Sequence, residues 1–450
     1  MQSKIILPLL VGSSVALSAT EKPNIIIIYT DDMAYADVSC YGGDFVETKN
    51  IDQLAKEGIR FTQYYTVAPI SSPSRVGLTT GMYPTRWGIR SFLQSKAGNK
   101  KNFQNDYLSD KAPSMARSLK QNGYVTAHFG KWHMGGGRDV DNAPSIYNYG
   151  FDEYKSTWES PDPDPKLTST NWIWADSDEV KRWNRTAYFV DKTLDFFKRN
   201  QGKPVFVNLW PDDVHTPFVP NPDDMETEQG DWEKPEAFKL VLRDYDIQIG
   251  RLMKGLKELG VDENTLVIFT SDNGPNPDYG VARTKGLRGK KGTLYEGGSR
   301  MPFIVRWPAK IAPNQVNESA VMASVDLLPT LCSITGTELP YGYELDGEDR
   351  SAVLLGKNNV ERKKPVFWEF GVNSSTINNK NKALRSPQIA VRKGDWKLLT
   401  NPDGSETELY NIVKDRAEKQ NVATSNPELT AEMKKTAIDW FNKAYRQYAD

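Results

Sequence analysis

Five short apolar runs, at residues 25–29, 125–129, 205–209, 266–270 and 303–307, set the tightest limit on what this chain can fold into. Runs this short and rich in Ile, Val and Phe fit strands covered on both faces. Helical patterns lie between them. Ile249, Leu252, Met253, Leu256 and Leu259 recur at spacings of three and four, and Gly260 follows as a C-terminal stop. Met115 and Leu119 mark a shorter helix, with Pro113 at its start and Gly123 after its end. Strands alternating with helices predict an α/β sheet with helices on both faces.

The 450 residues can bury one large core and a smaller one. The pattern changes after about Leu345. A charged stretch at 348–364 precedes short strand candidates at 366–370, 389–392 and 396–399. A final helix is expected from Asn426-Pro427, with Leu429, Met433, Ala437, Trp440 and Phe441 as its apolar stripe. The expected division is a main α/β domain at 22–345 and a smaller α+β subdomain at 346–450. Lys4, the apolar run 5–10 and small residues through Ala19 read as a signal peptide at 1–19. No later stretch approaches the roughly 18 apolar residues of a membrane span. With 57 basic and 58 acidic side chains the net charge is -1, which gives no general pull toward nucleic acid or acidic membranes. Any bound anion must be held by a local site. Cys40 and Cys332 permit one disulfide, and no cysteine cluster suggests zinc.

In open α/β sheets, ligands bind beyond the carboxyl ends of the strands. Asp31 and Asp32 follow the first run, Lys131 and His133 the second, His215 the third, Asp272 and Asn273 the fourth. Two of the chain's three histidines therefore fall at strand ends, while His128 lies within a run as a core residue. Asp31, Asp32, Asp272 and Asn273 offer only oxygen ligands, which favours calcium or magnesium over zinc. Taken singly, the two acids could instead cap a helix, and Asp272-Asn273-Gly274 could be a plain turn. Together, the carboxylates would repel without a cation.

Ser71-Ser72-Pro73-Ser74-Arg75 reads as a helix opening, with Ser72 at the N-cap and Pro73 first in the helix. A helix start can also hold an anion. The basic stretch 285–291, with Arg288 and Lys291, is either an anion site or a solvated loop. Residues 156–183 form a loop-rich insertion with Trp158, Trp172, Trp174 and Trp183. Such insertions build binding walls, although any one tryptophan more often packs in the core.

Read together, these blocks become recognisable. Pro69-Ile70-Ser71-Ser72-Pro73-Ser74-Arg75, continuing to Thr80-Gly81, resembles the signature of the formylglycine-dependent sulfatases. Thr79 stands where that family usually has an apolar residue, a departure expected to touch packing only. Tyr29-Thr30-Asp31-Asp32, Gly130-Lys131-Trp132-His133, His215-Thr216-Pro217, Ser271-Asp272-Asn273-Gly274, Lys291-Gly292, Glu296-Gly297-Gly298 and Asp326-Leu327-Leu328-Pro329-Thr330-Leu331 agree in order, from about Pro23 to the C-terminus.

The resemblance implies an alkaline-phosphatase-like large mixed sheet between helices, with a small C-terminal sheet. It implies that Ser71 is oxidised to formylglycine by a maturation enzyme of the bacterial type. It further implies a calcium ion on Asp31, Asp32, Asp272, Asn273 and residue 71. Lys131 and Lys291 would act as charge clamps and Arg75 as a support. His215 would be the acid for the leaving alcohol, and His133 the base for sulfate release. The expected function is removal of O-sulfate from a sulfated carbohydrate, with galactose or N-acetylgalactosamine sulfates as the class, in the periplasm or outside a bacterial cell. A formylglycine-type phosphodiester or phosphonate hydrolase and an unmodified sulfated-glycan-binding protein are the alternatives.

Overall fold

The computed structural model describes residues 22–137, 139–170, 172–224, 234–280, 282–358, 360–370 and 385–449; the expected signal peptide lies outside them. Its larger sheet contains β1 (Asn24–Thr30), β2 (Ile59–Tyr65), β3 (Val125–Gly130), β4 (Glu153–Ser156), β5 (Val205–Trp210), β6 (Thr265–Ser271), β7 (Arg300–Arg306), β8 (Gln315–Asn317) and β9 (Met322–Ala323). The order is β4-β3-β5-β1-β6-β7-β2-β8, with β9 beside β2. β7 runs against both neighbours, and the other pairings are parallel. The sheet is therefore mixed, as expected from the resemblance. All five apolar runs fall on its strands, the last ending one residue beyond β7.

Burial on both faces explains the unbroken runs. Ile25, Ile27, Tyr29, Leu266 and Ile268 pack into one core with the helices Ser71–Thr80, Met115–Gln121 and Leu327–Thr335. Ile26, Ile28, Val267 and Phe269 point the other way, against Lys49–Lys56, Arg185–Arg199 and Pro235–Glu258. Each fully buried aliphatic side chain contributes roughly 1.5–3 kcal/mol of transfer free energy. The central strands thus gain from both sides.

The second sheet is antiparallel, in order β10 (Val366–Glu369), β11 (Ile389–Lys393), β12 (Trp396–Thr400) and β13 (Glu408–Asn411). Alternation divides its faces. Ala390, Leu399 and Trp368 pack on Tyr65, Val67, Ile70 and Tyr295 of the main body. Ile389, Val391 and Leu398 pack on Met433 and Ala437 of the helix Pro427–Ala444. Cys40 and Cys332 are free thiols, so the permitted disulfide is absent.

Candidate active site

Strand register sets the site. Thr30 pairs with Ser271 in adjacent parallel strands, which brings Asp31 and Asp32 beside Asp272 and Asn273. Backbone bonds continue the alignment past the strand ends: Asp272 N donates to Thr30 O (3.2 Å), Asp31 N to Pro211 O (3.1 Å) and Lys131 N to Trp210 O (2.9 Å). Gly130 makes the Lys131 turn possible, because a Cβ there would lie 2.0 Å from Trp210 O. No helix starts at Asp31 or Asp32; they occupy a turn.

Carboxylate oxygens of Asp31, Asp32 and Asp272 lie within 4.8 Å of one another, and all three residues are buried. Asn273 Nδ2 donates to Asp32 Oδ1 (2.7 Å). Ser71 Oγ lies 3.0 Å from Asp31 Oδ1 and 3.3 Å from Asn273 Oδ1. The Ser71 helix runs Ser71–Thr80 with Ile70 as an N-cap lacking a side-chain bond. This corrects the expected cap: Ser72 Oγ instead accepts from Leu93 N (2.9 Å), anchoring the loop that passes over the site. Thr79 packs against Met134 Sδ (3.7 Å).

Three buried cations surround the acids. Arg75 bridges Asp31 Oδ1 (3.2 Å) and Asp272 Oδ2 (2.8 Å) and donates to Lys131 O (2.9 Å). Lys131 Nζ reaches Asp31 Oδ2 (2.8 Å), and Lys291 Nζ reaches both oxygens of Asp32 (2.7 and 2.9 Å). The Lys291 loop is held by Gly292 N to Pro69 O (2.8 Å). Gly297 and Gly298 close on Gly274, whose Cβ would lie 2.0 Å from Gly297 O. Elsewhere in the basic stretch, Lys285 faces Asp44 at the surface and Arg288 lies over Tyr295, so only Lys291 among these three enters the site.

Two histidines complete the edge. His215 Nδ1 donates to Thr216 O (2.6 Å), and its Nε2 lies 3.1 Å from Lys291 Nζ. His133 Nε2 lies 3.4 Å from Leu93 O. All ten expected site residues are thus gathered at one sheet edge. His128 is buried among Trp132, Trp210 and Phe151. A cavity of about 340 Å³ opens beside Ser71, lined by Lys131, His133, His215 and Lys291 and walled by Trp158 and Trp172.

These contacts answer to known proteins. A sequence profile of the sulfatase family matches residues 23–337. An N-acetylgalactosamine-6-O-sulfatase of Bacteroides thetaiotaomicron is 30% identical, over 92% of this chain and 92% of that protein. The chain belongs to the sulfatase family. It is a sulfuric ester hydrolase. Human arylsulfatase A is 31% identical over 80% of this sulfatase and 73% of its own length. The C-terminal profile of N-sulphoglucosamine sulphohydrolase matches residues 288–443. Among solved structures, Ps i-CgsB in complex with k-i-k-neocarrahexaose superposes with a TM-score of 0.77 at 26% identity, covering 95% of each chain. A structure from work on glycosaminoglycan metabolism by Bacteroides thetaiotaomicron gives 0.75 at 26% identity, covering 92% of this chain and 98% of that one.

The sulfatase's charges set the protonation of the site. Burial raises the Asp31 carboxyl, but Lys131, His215, Arg75 and Lys291 outweigh it and hold it well below the ordinary range. Burial and the Asp31 charge push Asp272 up to about 7 despite Arg75. Burial lowers Lys131, and Asp31 and Glu159 more than reverse that, so it stays an ammonium. Burial, then Lys131 and Arg75, keep His133 neutral. Burial and Lys291 lower His215.

Sequence reasoning missed Glu159, which packs behind Lys131 and His133, and Asp212. Asp212 pairs with Arg182 and Arg185 and accepts His215 N on its backbone oxygen (3.1 Å). Glu159 directly follows Trp158 in the loop-rich insertion, a placement that pointed to a wall but not to this carboxylate.

Proposed function

We propose that this sulfatase removes O-sulfate from a sulfated carbohydrate of the galactose or N-acetylgalactosamine class, using a formylglycine made from Ser71 and a calcium ion. One observation carries the reading: a single sheet edge joins the Ser71 hydroxyl to three buried carboxylates, three buried cations and two histidines around one cavity.

The donor set fits calcium. It is all oxygen, and its carboxylates crowd so closely that Asp272 rises to about 7 with Arg75 already against it. Asp31, Asp32, Asp272, Asn273 and residue 71 would hold the ion, which supplies positive charge to sulfate oxygens. Hydrated formylglycine supplies two hydroxyls on one carbon, one to attack sulfur and one to drive sulfate off afterwards.

The chain's own groups do the rest. Arg75 fixes the start of the helix relative to Asp31 and Asp272. Lys131 and Lys291 offer preorganised positive charge. The His215–Lys291 pair gives a proton to the leaving alcohol. Neutral His133 takes the proton of the second hydroxyl. Trp172 is 55% exposed and stacks on Trp158 (centroids 6.4 Å apart), presenting a ring face to a pyranose. The relative named N-acetylgalactosamine-6-O-sulfatase supports the sugar class. The pattern at 1–19 supports export to the periplasm or beyond, and the Ser at 71 supports a bacterial maturation enzyme.

Mass spectrometry of the Ser71 peptide from the native host should show loss of two hydrogens. The purified protein should desulfate a defined galactose or N-acetylgalactosamine sulfate and lose that activity to a calcium chelator. Faster turnover of a phosphodiester or phosphonate with a matched leaving group would overturn the substrate assignment. An unmodified Ser71 would leave only glycan binding.

A further inference from the structure

Lys131 and His133 share one carboxylate. Glu159 Oε1 lies 3.3 Å from Lys131 Nζ and 3.5 Å from His133 Nδ1. Its backbone oxygen accepts His133 N at 2.9 Å. The residue is 5% exposed and lines the cavity beside Ser71. Among the described residues its Oε2 has no hydrogen-bond partner. On the far side of the ring, His133 Nε2 faces Leu93 O at 3.4 Å.

Nε2 therefore carries the ring's N–H toward Leu93 O, and Nδ1, which makes no hydrogen bond among the described residues, keeps its lone pair near Glu159 Oε1. A neutral imidazole has one N–H and one lone pair, whereas an imidazolium carries an N–H on both nitrogens. Burial, then Lys131 and Arg75, oppose a positive charge on this ring and Asp31 favours it, and the nearest carboxylate oxygen to Nδ1 is that of Glu159 at 3.5 Å. A buried carboxylate at this place offsets two cations that would otherwise keep the ring from accepting a proton.

We propose that Glu159 is a positioning residue for the reaction, clamping Lys131 and His133 together on the cavity wall and orienting the imidazole to receive a proton. The inference rests on the reading above, in which His133 is the base. In that step the hydroxyl O–H breaks, its oxygen keeps the electron pair, and the ring gains the proton. The proton arrives on Nδ1, where the new positive charge lies beside the Glu159 carboxylate, while Nε2–H stays on the Leu93 carbonyl.

The test compares wild type with Glu159→Gln and Glu159→Asp, each with its aldehyde content measured. Glu159→Gln should lower kcat about 10- to 100-fold with KM within about threefold, and Glu159→Asp should recover part of the loss. A second readout needs no activity. With only three histidines in the chain, nitrogen-labelled His gives a short ring spectrum. His133 should hold its proton less readily in Glu159→Gln, while His128, shut in its aromatic core, stays unmoved. A kcat within twofold of wild type, a loss confined to KM, or an unmoved His133 signal would overturn the proposal. A wild type that carries the aldehyde yet hydrolyses no sulfate ester would instead sink the function reading, and the ring spectrum would still decide for or against Glu159.

Discussion

Replacing His215 by Ala tests which group protonates the leaving alcohol. In the structure Nδ1–H is committed to Thr216 O at 2.6 Å. That leaves Nε2 as an acceptor, 3.1 Å from Lys291 Nζ and 3.7 Å from Asp32 Oδ2. The neutral ring therefore takes an N–H from Lys291, and the pair stores one transferable proton. Without the imidazole, Lys291 keeps, among the described residues, its bonds to Asp32 at 2.7 and 2.9 Å and loses the ring that accepts its N–H. A positioned general acid is worth about 10²- to 10⁴-fold in rate, or roughly 2.7–5.4 kcal/mol of barrier. That contribution follows the charge building on the departing oxygen. A sugar alkoxide needs all of it, and an aryl oxide, whose charge spreads into its ring, needs little. We expect kcat/KM for His215→Ala to fall about 10²- to 10⁴-fold on a sugar sulfate and less than about tenfold on a nitrophenyl sulfate. The assay is paired steady-state kinetics on one preparation, with the aldehyde fraction measured. Equal losses on both esters would take the acid role away from His215.

Trp172→Ala should raise KM for a sugar sulfate by about 2- to 12-fold, roughly the 0.5–1.5 kcal/mol of a ring contact, and leave kcat nearly unchanged; an unchanged KM in the same assay would remove the stacking role. Asp212→Ala leaves Arg182 and Arg185 buried without their shared carboxylate, so urea unfolding should show a loss of about 3–5 kcal/mol. Arg182 Nη2 also holds His215 O at 3.0 Å, so the surviving folded fraction should have a reduced kcat. Glu418→Gln concerns the joint between the two sheets, where Lys397 lies between Glu296 and Glu418 at 3.0 Å from each. Burial, less the pull of Lys397, raises Glu418 to about 7, while Glu296 is lowered to about 2 because Lys397, Arg300 and Arg392 outweigh its burial. A raised folded value means the stabilisation from Glu418 is complete below its unfolded value near 4.5 and fades as pH rises through about 7. Wild type should therefore lose on the order of 2 kcal/mol relative to Glu418→Gln between pH 5 and pH 8, read as a growing difference in Tm; a pH-independent difference would contradict the raised value of Glu418.

What was legible in the sequence is what strand geometry makes local. A run buried on both faces announces itself by composition, and the next one or two residues must then stand at the sheet edge. Asp31, Asp32, Lys131, His133, Asp272 and Asn273 were found in this way, because parallel pairing aligns the ends of neighbouring strands. β2 escaped notice because Arg60, Thr62 and Gln63 break its run. Gln63 finds its partner across the joint, where Arg392 donates to Gln63 Oε1 and also reaches Tyr65 Oη at 2.6 Å. Ser72 misled for a related reason: a serine before a proline is a sound cap on local grounds, but the Leu93 loop competes for its oxygen.

Glu159, Asp212, Glu296 and Glu418 show where local reading stops. Each carboxylate is buried because a cation from a distant segment meets it: Lys131, Arg182, Lys397 and again Lys397. In the sequence they are four among 58 acidic side chains, and of the four only Glu296, in the Glu296-Gly297-Gly298 block, stands in a stretch that marks it. A buried charge costs several kcal/mol unless paired, so such residues become visible only when the fold brings the partner. Glu159 and Asp212 touch groups of the site, while Glu296 and Glu418 join the two sheets. Desolvation near the cavity favours neutral histidines, and Glu159 adds to the pull that keeps Lys131 an ammonium. The sulfatase chemistry is written at the strand ends, and its tuning is written in pairings that span 21 to 101 residues of chain.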